Sequence, residues 1–526
     1  MSIAGKLLLG QDQIQGQESS FQAINPATNK ETGPVYGSAT SADVDRACAL
    51  ATEAFQSYRQ TSAELRAHFL DTIAHHIEQL DDELVTIAGS ETGLPAARIQ
   101  GEKGRTIGQI KMFAEVVRSG LWQTPALDSA LPDRQPLPRP DLRRSYVPLG
   151  PVAVFGASNF PLAFSVAGGD TLSALAAGAP VIAKAHNAHP GTSEIIGLAI
   201  QQAVKDCDLH PGVFSLLFDQ GFEVAQQLVS HPVIKAVGFT GSQAGGEALM
   251  KHAAARPEPI PVFAEMGSTN PVYLLPEALK TKAGEFAEGY CASLTMGAGQ
   301  FCTNPGLLIA IDSPELDALL DDIGQRLDEA EPQTMLTPGI FRNYAQKVDK
   351  LLSKNDMTVH TPCKSAIAPN QCHPMLFSVS SETFLNDKTL SEEVFGPSAV
   401  VVRCTDLEDM LHITRSLEGQ LTVTLYCDEN DHSMAKPLFQ ELELKAGRIL
   451  FNGFPTGVEV CHTMVHGGPY PAASDSRTTS VGSSAIQRFL RPVCYQNIPE
   501  ALLPPAIDSQ NSLNLRRLQD GSYNDR

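Results

Sequence analysis

Between Pro151 and Gly246 short apolar runs alternate with helix-forming stretches, and this rhythm restricts the possible folds more than any other feature of the chain. Val152-Ala153-Val154-Phe155-Gly156, Pro180 to Lys184, Val213 to Leu217 and Ala236 to Thr240 read as strands. Helices are expected over Ala163 to Ala177 and Thr192 to Val204. Such alternation predicts an α/β fold with a parallel, doubly wound sheet. Ligands of these sheets bind beyond the carboxyl ends of the strands. Neither a Gly-x-Gly-x-x-Gly fingerprint nor a P-loop lysine motif is present.

Around this heart the chain reads in order. Residues 1 to about 40 are turn-rich and suggest short covering strands, broken at Asn25-Pro26 and Gly33-Pro34. Ser41 is the expected cap of a first helix carrying Asp43 and Asp45 in its opening turn. One long helix is predicted from about Ser62 to Gly89 and another from about Pro95 to Ser119. Arg105 and Gln109 on the latter are four apart, so they share a face. From Thr124 to Pro148 the many prolines exclude a compact element and suggest an extended arm. A second α/β region runs from beyond Asn270 to about Gly453, followed by a loop-rich tail.

The totals exclude several functions. A formal net charge of −20 over 526 residues argues against nucleic-acid binding and against anchoring to anionic lipid. No apolar run approaches the roughly 20 residues that span a bilayer, and Lys6 to Gly10 is too short for a secretory core. A cytoplasmic protein is the expectation. The 10 cysteines are scattered without Cys-x-x-Cys pairs, so reduced thiols and no metal site are expected. His462 and His466 are four apart but run into Gly467-Gly468-Pro469 without a zinc-protease glutamate.

Two stretches carry chemistry. In Tyr290 to Gly306, Cys302 closes a loop in which Gly297 and Gly299 permit unusual backbone angles and Pro305-Gly306 turns the chain. Taken alone, Cys302 reads equally as a buried core cysteine or as a substrate-facing thiol. In Val262 to Pro271, Glu265 ends an apolar run just before a Gly/Ser/Asn/Pro turn. It reads as a solvated loop acid, or as a general base whose pKa partial burial has raised.

Together these two stretches resemble the aldehyde dehydrogenase superfamily, and further motifs along nearly the whole chain extend the likeness. The resemblance implies a Rossmann-like cofactor domain (1–130 and 147–265), an α/β catalytic domain (266–462), and an oligomerisation arm with a C-terminal tail (131–146 and 463–526). It implies Cys302 as the nucleophile that adds to an aldehyde, forming a thiohemiacetal and later a thioester. Glu265 would accept the thiol proton and activate the hydrolytic water. Asn159, in Ala157-Ser158-Asn159-Phe160-Pro161, matches the side-chain donor to the developing oxyanion. In Phe239 to Gly246 the family's own cofactor turn is recognised, assigning Thr240, Gly241, Ser242 and Gly246 to the dinucleotide. Ser391 to Pro397 adds Glu393 and Phe395 at the ribose and nicotinamide.

Lys184 would meet the adenosine ribose. Asn187 stands where NAD-specific relatives often carry a glutamate, so the resemblance leans to NADP, with NAD tolerated. Arg105, Gln109 and Phe160 fall at the substrate channel. The phrases Gly101 to Gln109, Asn452 to His462 and His466 to Pro471 are similar to two branches of the family. One oxidises 2,5-dioxopentanoate to 2-oxoglutarate; the other takes long-chain aldehydes with NADP. Arg105 could clamp a distal carboxylate, whereas an apolar tunnel would leave it unpaired. Ser158, Met266-Gly267-Ser268 and Phe301 depart from the commonest family pattern. The resemblance also implies a homodimer or homotetramer. The remaining readings are an inactive scaffold protein and a cofactor-free cysteine hydrolase, the latter lacking an evident partner histidine.

Overall fold

The computed structural model describes residues 2–362, 364 and 368–524; Cys363 lies outside them. The first sheet has seven strands, in the order Val262–Glu265, Ala236–Thr240, Val152–Phe155, Val181–Lys184, Phe214–Leu217, Lys6–Leu9 and Asp12–Gln15. The first five are parallel, and the two N-terminal strands complete one edge antiparallel. Strand order reverses between Val152–Phe155 and Ala236–Thr240, which creates the crevice where such sheets bind ligands. Val152, Ala153, Val181 and Ile182 are fully buried, as strands covered on both faces require.

A second seven-stranded sheet follows, ordered Thr358–Val359, Met375–Ser380, Ser398–Cys404, Leu307–Ile311, Val272–Leu274, Gln420–Tyr426 and Ala446–Phe451. Its two faces carry separate apolar clusters, around Ile309 and Val402 on one side and Phe286 and Leu308 on the other. A third sheet joins Ala126–Asp128 and Leu142–Pro148 to Leu490–Gln496, Leu518–Gln519 and Ser522–Tyr523. The tail therefore forms ordered strands beside the proline-rich segment. A buried ion pair, Arg488 to Asp170 at 2.7 Å, anchors the chain just before it.

Several local expectations change. Thr40, not Ser41, caps the first helix: its side chain accepts from Asp43 N–H while the Asp43 carboxylate accepts from Thr40 N–H. The expected long helix is two, Ala63–Glu78 and Asp82–Thr92, because buried Leu80 turns the chain and Asp82 and Glu83 open a new N-terminus. The helix expected from Ala163 begins only at Gly169. Its would-be first turn is held otherwise, with Leu162 and Ala163 N–H both donating to the Glu102 carboxylate at 2.9 Å.

Candidate active site

Cys302 sits on a loop whose path depends on left-handed backbone at Gly297, Ala298 and Gly299, with φ of +58°, +57° and +65°. At Gly299 a side chain is excluded twice over, since a Cβ would lie 2.3 Å from the Gly396 carbonyl carbon. The loop is then clipped from outside. Asn270 Nδ2 donates to the carbonyl oxygens of Cys302 (2.8 Å) and Asn304 (2.9 Å), and its Oδ1 accepts from Thr422 Oγ1. Asn270 itself adopts φ +47°, a conformation asparagine tolerates better than most residues. Sequence reasoning saw it only as a turn residue.

Glu265 ends its strand buried, 3% exposed, and neither carboxylate oxygen has a hydrogen-bond partner among the described residues. Its backbone is fixed by a bridge to Ala473 and by Gly241 N–H donating to its carbonyl. The His466 imidazole lies between the two, its Nε2 3.4 Å from Glu265 Oε2 and 3.4 Å from Cys302 Sγ. His466 is itself 1% exposed, tethered by its N–H to Thr479 Oγ1 at 2.8 Å, and its ring packs on Phe164.

The histidine beside Cys302 is thus His466, while His462 is exposed. The turn that follows His466 is forced, since Gly468 at φ +146° lies where a Cβ would meet Gln420 O at 2.3 Å. The reading without a partner histidine for Cys302 is corrected accordingly. Burial pushes the Cys302 thiol well up, and the charges of Glu265 and Glu393 push it further. At rest the thiol keeps its proton. His466 Nε2 stands where it can take that proton and pass the resulting charge to an adjacent carboxylate.

Asn159 follows the central strand Val152–Phe155 and donates through Nδ2 to Gln300 O at 2.9 Å, two residues before the thiol. Phe160 lies edge-on to Phe301 and Phe164, both at 5.2 Å between centroids, with the Arg98 guanidinium 4.6 Å over its ring. Arg98 pairs with Glu102 at 2.6 Å, the same carboxylate that holds Leu162 and Ala163. Arg105 points to this side too. Its guanidinium carbon is 5.1 Å over Phe164, Nη2 reaches Val458 O at 3.4 Å, and Nη1 is buried without a partner. Gln109 is buried with Nε2 unpartnered. Arg448, not singled out from sequence, would also stabilise a thiolate at Cys302, but its Nη atoms are spent on Gly457 and Pro455 carbonyls.

A cavity of about 910 Å³ extends from Cys302 and Asn159 to Lys184 and Asn187. The helix Gln243–Ala254 points its N-terminus at it, capped by Ser242 Oγ accepting from Gly245 N–H. Thr240, Gly241 and Ser242 line it; a Cβ on Gly241 would sit 2.7 Å from the Phe239 ring. Gly246 does not line it. It abuts Met266, whose Sδ a Cβ would approach to 2.6 Å, so its glycine serves helix–sheet packing. Lys184 Nζ donates to Asn187 Oδ1 at 3.0 Å, and Asn187 Nδ2 to Gln220 O. Asp219, an acid that acts on Lys184, is occupied by Gly221 and Val224 N–H. Glu393 and Phe395 close the other end, where a Cβ on Gly267 would strike Glu393 Oε2 at 2.3 Å. Burial raises the Glu393 pKa to about 7 against the pull of Lys347. A helix N-terminus with bare glycines, a cation at one end and a carboxylate at the other suits a dinucleotide.

The model of the family described as Aldehyde dehydrogenase family matches residues 14–484. The chain belongs to the aldehyde dehydrogenase family. This aldehyde dehydrogenase is 51% identical over 522 residues to alpha-ketoglutaric semialdehyde dehydrogenase 2 of Azospirillum brasilense, covering 99% of each chain. It is 46% identical to alpha-ketoglutaric semialdehyde dehydrogenase of Acinetobacter baylyi, covering 98% of each. Among solved structures, 1-pyrroline-5-carboxylate dehydrogenase from Thermus with bound NAD matches at TM-score 0.79 and 20% identity, covering 94% of this chain and 93% of that one. That likeness establishes the fold. No helix among the described residues is long and apolar enough to cross a membrane.

Proposed function

We propose that this enzyme oxidises a dicarboxylic semialdehyde, 2,5-dioxopentanoate, to 2-oxoglutarate and prefers NADP. The observation that carries the substrate is Arg105: a half-buried side chain whose Nη1 is itself buried and, among the described residues, has no hydrogen-bond partner and no paired carboxylate. The names of the two relatives agree with it. A fatty aldehyde would bring only methylenes to that nitrogen, leaving a buried donor unsatisfied.

In this reading Cys302 loses its proton to His466 Nε2 and adds to the aldehyde carbon. Asn159 Nδ2 and the Cys302 backbone N–H hold the oxygen on which charge develops. Lys184, Gly241, Ser242 and Glu393 would hold the dinucleotide, which supplies the two-electron oxidation of the thiohemiacetal to a thioester. Glu265, whose carboxylate oxygens accept no hydrogen bond from the described residues, takes a proton from the water that hydrolyses that thioester. The third sheet, together with the exposed Leu137 and Leu502 in the segments between its strands, is the surface this reading assigns to subunit pairing. The test is NADP reduction with 2,5-dioxopentanoate against decanal. A higher kcat/KM with the semialdehyde is expected; saturable turnover of decanal without turnover of the semialdehyde rejects the proposal.

The NADP preference makes its own pH prediction. Burial lowers the Lys184 pKa to about 8, with Asp219 opposing. Below that pH the side chain is an ammonium able to pair with a 2′-phosphate; above it the charge is lost. The ratio of NADP to NAD affinity should therefore fall as pH rises through about 8, read by titrating each dinucleotide calorimetrically. A ratio flat from pH 7 to 9 (roughly one unit either side) removes Lys184 from that role.

A further inference from the structure

Cys302, His466 and Glu265 arrive from three segments, yet one donor atom of each lies within 4.8 Å of the others. Two of the three separations, sulfur to imidazole and imidazole to carboxylate, are 3.4 Å. Around a tetrahedral zinc ion, bond lengths near 2.0–2.3 Å put neighbouring donor atoms about 3.3–3.8 Å apart. The Glu265 carboxylate is 3% exposed, and among the described residues neither oxygen accepts a hydrogen bond. It is the kind of group a buried cation satisfies.

We propose that Cys302, His466 and Glu265 form a binding site for one Zn²⁺ ion, which holds the enzyme in a reversibly inhibited state. Thiolate, imidazole and carboxylate together select a borderline-soft ion such as Zn²⁺ over Mg²⁺ or Ca²⁺, which take oxygen ligands. On binding, the S–H bond of Cys302 breaks, a Zn–S bond forms and the proton leaves to solvent. Nothing is oxidised or reduced. His466 and Glu265 each contribute a lone pair, and the fourth position faces the cavity. Two anionic ligands balance the ion's charge, so the cluster is neutral and its burial is less costly than that of a free thiolate beside two glutamates. The metal removes the nucleophile and its proton acceptor together, so ion binding and aldehyde addition exclude each other. A chelator restores activity, and the site strengthens with pH because the thiol proton must leave.

Co²⁺ is the spectroscopic probe. The reduced enzyme should bind one Co²⁺ per chain with a near-ultraviolet thiolate-to-cobalt charge-transfer band. Cys302→Ser should abolish that band, and His466→Gln should weaken binding by at least about tenfold. In the unaltered enzyme, Zn²⁺ alone should slow iodoacetamide labelling of Cys302, followed by peptide mass spectrometry, and EDTA should reverse the protection. A band that survives in Cys302→Ser, or labelling of Cys302 at the same rate with and without Zn²⁺, overturns the site; the latter is the result if the metal binds only at outlying thiols such as Cys494. The labelling arm needs no variant to fold.

Discussion

Replacing Cys302 by serine is expected to lower kcat/KM for every aldehyde by at least about a thousandfold. The loop geometry should persist, because it is set by Gly297, Gly299 and the Asn270 clip on the Cys302 carbonyl, none of which involves the sulfur. What disappears is an ionisable nucleophile. The surroundings already hold the thiol pKa well above its ordinary value through burial and two nearby glutamates. A hydroxyl, far less acidic, cannot be ionised there by a single imidazole 3.4 Å away. Dinucleotide affinity should survive, since Lys184 and the helix at Ser242 lie at the other end of the cavity. Steady-state kinetics, with mass spectrometry for an acyl adduct on residue 302, checks this. Turnover by the serine variant within tenfold (about 1.4 kcal/mol) of the parent would remove Cys302 from the mechanism.

The local backbone around the candidate site was legible in the sequence, while the chemistry of its residues was not. Gly297, Gly299 and Pro305 marked the Cys302 loop, and those glycines do adopt the left-handed backbone, yet the loop alone left Cys302 between a core thiol and a substrate-facing one. Glu265 was placed at a strand end before a turn, and its roles came only from the family resemblance. The doubly wound sheet was readable because Val152, Val181, Phe214 and Ala236 open runs too uniformly apolar to face water on either side. What stayed hidden depends on distance in sequence. His466 meets Cys302 across 164 positions, and Asn270 clips a carbonyl 32 positions away. Neither pairing leaves a periodic or compositional trace. The helix boundaries failed for a related reason: Glu102 captures the N–H groups of Leu162 and Ala163 from 60 and 61 positions off, overriding a local preference for helix. Gly246 is a motif glycine whose local constraint is the sulfur of Met266, a contact the motif itself does not reveal.

Arg105→Met should separate substrates by their charge. Methionine keeps an unbranched stem against Phe164 and removes the guanidinium. For 2,5-dioxopentanoate the loss of a desolvated, charge-assisted pair is expected to cost on the order of 2–4 kcal/mol, about 30- to 1000-fold in kcat/KM and mostly through KM. Pentanal, with no distal carboxylate, should lose far less. The asymmetry follows from how Arg105 is held. Burial draws its pKa down and Glu102 only partly compensates, because that carboxylate is already shared by Arg98 and two backbone N–H groups. Its one hydrogen bond, to Val458 O, is long at 3.4 Å. A cation left this poorly satisfied is a cost to the free enzyme that an incoming carboxylate removes, so its contribution appears on binding rather than on folding. Arg105→Lys should recover only part of the loss, since an ammonium keeps the charge but not the planar fork. Equal losses on the semialdehyde and on pentanal would make Arg105 a packing residue. Unchanged kinetics on both would place the distal carboxylate elsewhere, with Arg448, whose Nε is also buried and unpartnered, the next cation to remove.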